Sequence, residues 1–536
     1  MSKRPNFLWF ILDDVSPLLS VYGYSGVKTP NIDRIAEEGC VYENAFATAS
    51  VCPTSRNSIF TARYQTANGA HHARTTFAGK RAPAGVEAYH ACPPPYVKCF
   101  TEYLRAEGYF CTNNSKTDYQ FGDPSSAWDV CSSAAHWNQR ASGQPFFAVF
   151  NPVNTNESKL WPENRVGEAS ADAHFELPPF LEDTPTVQST FATQFKNIEV
   201  ADGILGRLVS ELEWEDLLDE TVIFITSDHG MGVPRFKRTL FDTGTHVPLI
   251  VRAPGLVDAN TRNDALISLI DLGSTVLSLA DIARPQSMHG ESFIGKNRSP
   301  ERKYIYSAQD RIDESYALIR SVRDQRFHYI RHYDSGVDSA PWSSVANNHP
   351  IAREIAEKHA RGQLNPEQNY FSRDACPPEE LYDVQADPWE MTNLIDDPLH
   401  SEELKRLRAH LNAWQQHADP WRDVPETEML TQWWYHGELP ETEPPEALVL
   451  GYEASGIEPL ETQTEWEGPV RLQFTCPTQG ASIEYQIIPG TTLKLWKLYA
   501  GNLPLGVGDF IIRARAVRYG YKPSPEVSWK IRVDKA

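Results

Sequence analysis

The segment CPTSR at residues 52–56 sets a thiol four residues ahead of a guanidinium, just before the helical stretch RNSIFTARYQT. Taken alone, a single cysteine is more often a small core residue. Its setting here suits an oxyanion, because helix N-terminal N–H groups and an arginine both favour negative charge. A nucleophile at Cys52, with Arg56 beside it, would stand directly under a phosphate or sulfate.

Two acidic elements point the same way. NFLWFILDD ends in Asp13 and Asp14, and TVIFITSDHG carries Asp228 and His229. Each apolar run reads as a buried strand with its polar groups gathered at the carboxyl end. An isolated acidic pair more often caps a helix or meets solvent. Two strand ends of one sheet offering Asp-Asp and Asp-His can bind one hard divalent cation together. Lys116 in TNNSKTD is as often a plain surface lysine as a ligand. Together with Lys237 or Arg238 in PRFKRTLFDTGTHVPLIV, it adds the charge to hold the remaining oxygens of a tetrahedral anion. Nucleophile, metal, arginine and lysine are what ester cleavage at an anionic centre requires.

The elements that must position these groups follow from periodicity. Apolar strands near residues 7–12, 146–150, 221–227 and 246–251 alternate with helical patterns, the longest being FATQFKNIEVADGILGRLVSELEW. That alternation predicts an α/β sheet covered on both faces, with its ligand site along the carboxyl edge. The predicted organisation is a catalytic α/β domain at 1–302, a smaller antiparallel α+β subdomain at 303–425, a Pro/Glu-rich linker at 426–465 and a small β-sandwich at 466–536. Residues 334–375 read as a polar excursion around the site.

The 536 residues are 41% hydrophobic and 23% charged, and the net charge of −21 argues against a general nucleic-acid binder. Eight cysteines in a chain of this size, with no CxxC pair, do not form a disulfide scaffold. FLWFIL is too short to span a bilayer, and no export signal is visible. The expected location is therefore periplasmic or secreted if a presequence was removed, and cytoplasmic otherwise.

Read as a set and in order, RPNFLWFILDD, TPNIDRIAEEG, CPTSRNSIFTAR, NNSKTD, ITSDHG, FKRTLFDTGTHVPLIV, YIRHY and ELYDVQADPWEMTNL resemble the type I, formylglycine-dependent sulfatases of the alkaline phosphatase-like superfamily. The resemblance covers most of residues 5–395. NGAHHARTT and RIDESYALIRSVRDQRFHYIRHY place it nearest the branch of N-sulfoglucosamine sulfohydrolase-like and bacterial polysaccharide sulfatases. It implies an alkaline phosphatase-like mixed sheet flanked by helices. It also implies oxidation of Cys52 to Cα-formylglycine by a maturation enzyme, and a calcium ion (or magnesium) on Asp13, Asp14, Asp228 and His229. Arg56 would orient the nucleophile, and Lys116 and Lys237 would hold sulfate oxygens. The substrate implied is a sulfated carbohydrate.

The chain departs from the family pattern in three places. Thr54 stands where a proline is usual, Asp118 replaces the histidine of the Lys-x-His pair, and Asn156 corresponds to a histidine after the FFAVF strand. The acid for the leaving alcohol is then sought among His71, His72 and His246, with His71-His72 favoured over His136 and His332. Asp118, Asn156 and His246 are also expected at the substrate. Trp342, Tyr370 and Trp433-Trp434 can stack on sugars or pack the linker. Phosphate or phosphonate monoester hydrolysis, sulfamate cleavage and silent glycan binding are the alternative functions.

Overall fold

The computed structural model describes residues 4–76, 83, 85–122, 125–164, 174–333, 346–372, 377–434, 438–451, 457–461, 463–488 and 495–535. Trp342 and Cys376 lie outside these. The chain divides into two units, one of residues 1–89, 116–120 and 149–423, the other of residues 90–115, 121–148 and 424–536.

In chain order the leading elements are β1 (Asn6–Leu12), α1 (Pro30–Glu37), β2 (Cys40–Phe46), α2 (Cys52–Thr61), α3 (Phe100–Ala106), β3 (Phe110–Asn114), β4 (Val130–Cys131), β5 (Phe146–Phe150), α4 (Pro185–Trp214), β6 (Thr221–Ser227), α5 (Asp242–Thr245), β7 (His246–Arg252), β8 (Thr261–Ser268) and α6 (Asp271–Leu279). Within the first unit, strands lie in the order β1-β6-β7-β2-β8. The sheet is mixed: β1 and β6 run parallel, while β7 is antiparallel to β6 and to β2. Every residue of β1 and β6 is buried, which is why both read as unbroken apolar runs.

The pairing of β1 with β6 is in register from Asn6↔Thr221 to Leu12↔Ser227. Both strands therefore stop at the same level, and the acids that follow them emerge side by side. Helix α4 begins at Thr184, whose hydroxyl accepts the Val187 N–H, and buries one face, including Phe191, Phe195, Leu205 and Leu212.

The same unit holds a second, antiparallel sheet of β9 (Ile305–Gln309), β10 (Ile319–Arg323), β11 (Phe327–His332) and β12 (Glu379–Asp383), in the order β12-β11-β10-β9. Two more helices, α7 (Pro350–Ala360) and α8 (Ser401–Ala418), accompany it. Leu407, Leu411 and Trp414 of α8 pack on Val322, Tyr329 and Leu381 of this sheet.

In the second unit, helix α9 (Glu426–Trp433) precedes two β-sheets. One comprises β13 (Glu446–Gly451), β14 (Ile457–Pro459), β16 (Val470–Thr475) and β19 (Leu503–Leu505). The other comprises β15 (Gln463–Glu467), β17 (Ser482–Ile488), β18 (Lys497–Leu498), β20 (Gly508–Val517) and β21 (Val527–Asp534). Val449, Val470 and Leu472 of one sheet and Ile512, Ile531 and Val533 of the other share a core. This is the expected sandwich, and β13 to β15 draw its strands from the stretch read as a linker. The alternating apolar residues of EALVLG lie there between Pro/Glu-rich segments that mask the strand pattern.

Among the described residues, no helix is long and apolar enough to cross a membrane.

Candidate active site

Because β1 and β6 end level, Asp13-Asp14 and Asp228-His229 converge. The Asp14 N–H donates to Asp228 Oδ1 at 3.2 Å, and the Asp228 N–H donates to the Leu12 carbonyl at 3.2 Å. Asp14 has φ 54°, a left-handed conformation that is uncommon for a residue with a Cβ and is found often at functional sites. Gly230 is required by close approach, since a Cβ there would lie 2.0 Å from the Thr243 carbonyl oxygen.

Cys52 is the first residue of α2, with Pro53 in the opening turn, where a missing N–H costs nothing. The whole helix is buried, which explains its weak amphipathic pattern: it packs on all sides around the site. Cys52 Sγ stands 3.2 Å from His229 Nε2, 3.6 Å from Asp14 Oδ1 and 3.7 Å from Lys237 Nζ.

Arg56, one turn along α2, ties the strand ends together. Its Nε donates to Asp228 Oδ2 at 2.9 Å, Nη2 to Asp13 Oδ1 at 2.5 Å and Nη1 to Asn151 Oδ1 at 2.7 Å. Lys116 Nζ lies 2.8 Å from Asp13 Oδ2, and Lys237 Nζ lies 2.7 Å from Asp14 Oδ2. Three carboxylates thus face three cations. Burial opposes charge on both lysines, but Asp13 for Lys116 and Asp14 for Lys237 outweigh it and raise their pKa values. Burial likewise opposes ionisation of Asp228, yet His229, Arg56 and Lys116 hold it below the usual carboxylate range.

Asp14, Cys52, Asp228 and His229 each offer a ligand atom within 4.8 Å of the others, so the cluster can hold a metal ion. The ring of His229 supports that use. Nδ1 donates to the Gly230 carbonyl at 2.9 Å, and Nε2 faces the carboxylates, 3.1 Å from Asp14 Oδ1. Burial opposes charge on the ring, but Asp228 and Asp14 raise its pKa to about 10, and a bound cation would take the place of its Nε2 proton. Asp13 borders the cluster with its oxygens on Arg56 and Lys116.

Sequence reading missed two residues here, Asn151 and Glu157. Asn151, the first residue after β5, touches Arg56, whereas Asn156 caps a short turn by accepting the Ser158 N–H at 3.1 Å. Glu157 takes Arg238 in a two-pronged pair, 2.9 Å at each prong, and lies 3.4 Å from Lys237 Nζ. Burial opposes its ionisation, but Arg238 and Lys237 pull it down to about 2. Asp118 is exposed, and His246 Nε2 lies 2.7 Å from the Glu43 carbonyl, outside the cluster. His71 and His72 are buried with ring centroids 4.2 Å apart. They adjoin Ala73, which packs with Ile312 on Val51, the neighbour of Cys52.

A buried cysteine at a helix start, facing acids at parallel strand ends and a ring of cations, fits a hydrolase of the alkaline phosphatase superfamily. The chain belongs to the sulfatase family: the family model described as Sulfatase matches residues 5–282, and that of the N-sulphoglucosamine sulphohydrolase C-terminal region matches residues 233–342. It is 35% identical to an ulvan-active sulfatase of Formosa agariphila, across 98% of this chain and 91% of the relative. It is 25% identical to human N-sulphoglucosamine sulphohydrolase, across 79% and 92%. Among solved structures, one in complex with its substrate D-glucosamine-2-N,6-O-disulfate is similar at TM-score 0.55 and 17% identity, covering 79% of this chain and all of that one.

Proposed function

We propose that this enzyme removes sulfate from a sulfated carbohydrate, with Cys52 converted to formylglycine and calcium bound at the Asp14, Asp228 and His229 cluster, with Asp13 alongside. The observation that carries the reading is Cys52 Sγ lying 3.2 Å from the His229 imidazole, 3.6 Å from the Asp14 carboxylate and 3.7 Å from the Lys237 ammonium at once. The oxygen-rich donor set favours a hard cation, and one imidazole does not exclude it. The 35% identity to an ulvan-active sulfatase supports a sulfated polysaccharide of the ulvan kind as the source of the substrate.

The hydrated formylglycine would supply an oxygen nucleophile whose second hydroxyl can later expel sulfate. The cation would polarise the sulfate oxygens. Arg56, locked on three sides, fixes the position of residue 52 against the strand ends. Lys237, 1% exposed at its side chain, and Lys116, 15% exposed, bracket the place of the sulfate from inside and outside. Both lysines are charged, so they can turn from their acids to the sulfate oxygens.

We assign the leaving-group proton to His71. His72 Nδ1 accepts the Arg311 N–H at 3.4 Å, and burial with the charge of His71 holds its pKa well below the usual value. A neutral ring of that tautomer donates a hydrogen bond through Nε2 but does not give up its proton.

The test uses protein whose Cys52 state is read by mass spectrometry. Converted enzyme should release sulfate from ulvan oligosaccharides and turn over 4-nitrophenyl sulfate. An entirely unmodified thiol in active enzyme would overturn the formylglycine reading. Preference for 4-nitrophenyl phosphate by orders of magnitude would make it a phosphate ester hydrolase.

A further inference from the structure

Arg74 follows Ala73, which packs on Val51 beside Cys52, and takes no part in the chemistry above. Its side chain is 18% exposed, and among the described residues its Nε has no hydrogen-bond partner. The nearest counter-charge is Asp313 Oδ1 at 3.5 Å, too far for a hydrogen bond. Asp313 is itself fully buried, and among the described residues neither of its carboxylate oxygens has a hydrogen-bond partner, nor does the buried Nε2 of His72, two residues from Arg74.

The fold goes to some trouble to hold this arrangement. Arg74 and Asp313 both have left-handed backbones, φ 60° and 52°, on two segments joined by a parallel bridge from Ala73 to Ile312. The Ala73 N–H donates to the Arg311 carbonyl at 2.7 Å, and Ala73 and Ile312 pack on Val51. Arg74 is therefore one residue from a contact with the nucleophile's neighbour. Behind it Asp313 is close enough to help raise the pKa of Arg238, the partner of Glu157. Tyr316, 41% exposed, has its ring 6.2 Å from that of His72.

We infer that Arg74 binds a second anionic group of the substrate sugar, a carboxylate or a further sulfate beside the one removed, and so selects polyanionic chains. The planar guanidinium fork matches either oxyanion. Asp313 orients the fork from behind without occupying it. The inference rests on the sulfatase reading and extends it to the substrate class.

The experiment compares wild type with Arg74→Gln on three probes: ulvan oligosaccharides, the same mixture after carboxyl reduction, and 4-nitrophenyl sulfate. The loss of kcat/KM on the intact oligosaccharides should exceed the loss on the aryl sulfate by at least about tenfold. If that excess vanishes after carboxyl reduction, the anion is a carboxylate; if it persists, the anion is a second sulfate. Equal losses on all three probes, or none, would overturn the assignment. Calorimetric binding of intact oligosaccharides to protein with unconverted Cys52 tests Arg74 without turnover, and Arg74→Gln should weaken it about tenfold or more. An unchanged affinity there also overturns the assignment. Converted wild type that releases sulfate from no probe would instead sink the sulfatase reading, and the binding arm would still decide the role of Arg74.

Discussion

Arg56 Nε meets Asp228 Oδ2 at 2.9 Å, and neither side chain has any solvent exposure. A helix and a strand end are thereby joined by charge in a place water does not reach. Breaking such a pair leaves an uncompensated buried charge, which costs about 3–5 kcal/mol. Arg56→Ala should lose stability on that scale by chemical denaturation. Arg56→Lys keeps the charge but cannot reach Asp13, Asp228 and Asn151 together, so sulfate release should fall on the order of a hundredfold. A lysine variant of wild-type activity would remove Arg56 from the positioning role.

Chelation should inactivate the enzyme without unfolding it. Arg56, Lys116 and Lys237 already pair with the three acids, so loss of the cation leaves the carboxylates partnered. A chelator selective for calcium is expected to abolish turnover and lower the thermal midpoint modestly, and calcium should restore both. Activity that persists after exhaustive chelation, with metal analysis confirming removal, would count against a catalytic cation.

Glu157→Gln should separate Lys237 from its support. Glu157 holds Arg238 on both prongs, and its N–H donates to Asp14 Oδ2 at 2.6 Å. Without the carboxylate, Arg238 is left buried without its counter-charge, at a cost of about 3–5 kcal/mol. The KM for sulfate esters should also rise as Lys237 loses its register. A variant as stable as wild type would show that Arg238 finds another partner.

His289 predicts how stability changes with acid. Burial, with Arg63, Arg302 and Arg284 nearby, pushes its pKa down to about 3, and its Nδ1 accepts the Tyr64 N–H at 3.3 Å. The folded protein keeps this ring neutral, while the unfolded chain takes up a proton below about pH 6.5. Stability from this residue is complete above pH 6.5 and is lost as pH falls towards 3, at up to about 1.4 kcal/mol per pH unit. His289→Asn keeps an acceptor near Tyr64 without a titrating group. The stability difference between wild type and variant, measured by denaturation across this range, should narrow or reverse as pH drops; a difference independent of pH would contradict the assignment.

The parts of the site that lie next to regular elements were legible in the sequence. Asp13, Asp14, Asp228 and His229 follow apolar strands, and Cys52 and Arg56 open a helix, so local pattern carries both identity and place. Asn151 and Glu157 were not legible, because their partners lie far away in sequence: Glu157 and its partner Arg238 are 81 residues apart. The displaced role of Asn156 has the same origin, since an irregular segment follows β5 and position within it has no period. Arg74 and Asp313 belong to two loops whose meeting depends on a single bridge between residues 73 and 312.

The level ending of β1 and β6 also sets which mutations this enzyme can absorb. Loops around the site can change length at little cost, because each only delivers a side chain from outside. The two strands behave as matched rulers. One residue inserted or deleted in either would turn its acids to the opposite face. The sheet could still form from apolar residues on both faces, so such a chain would be folded, soluble and chemically dead. Sequence drift in this enzyme is therefore expected as substitution within β1 and β6 and as length change in loops that hold no site residue.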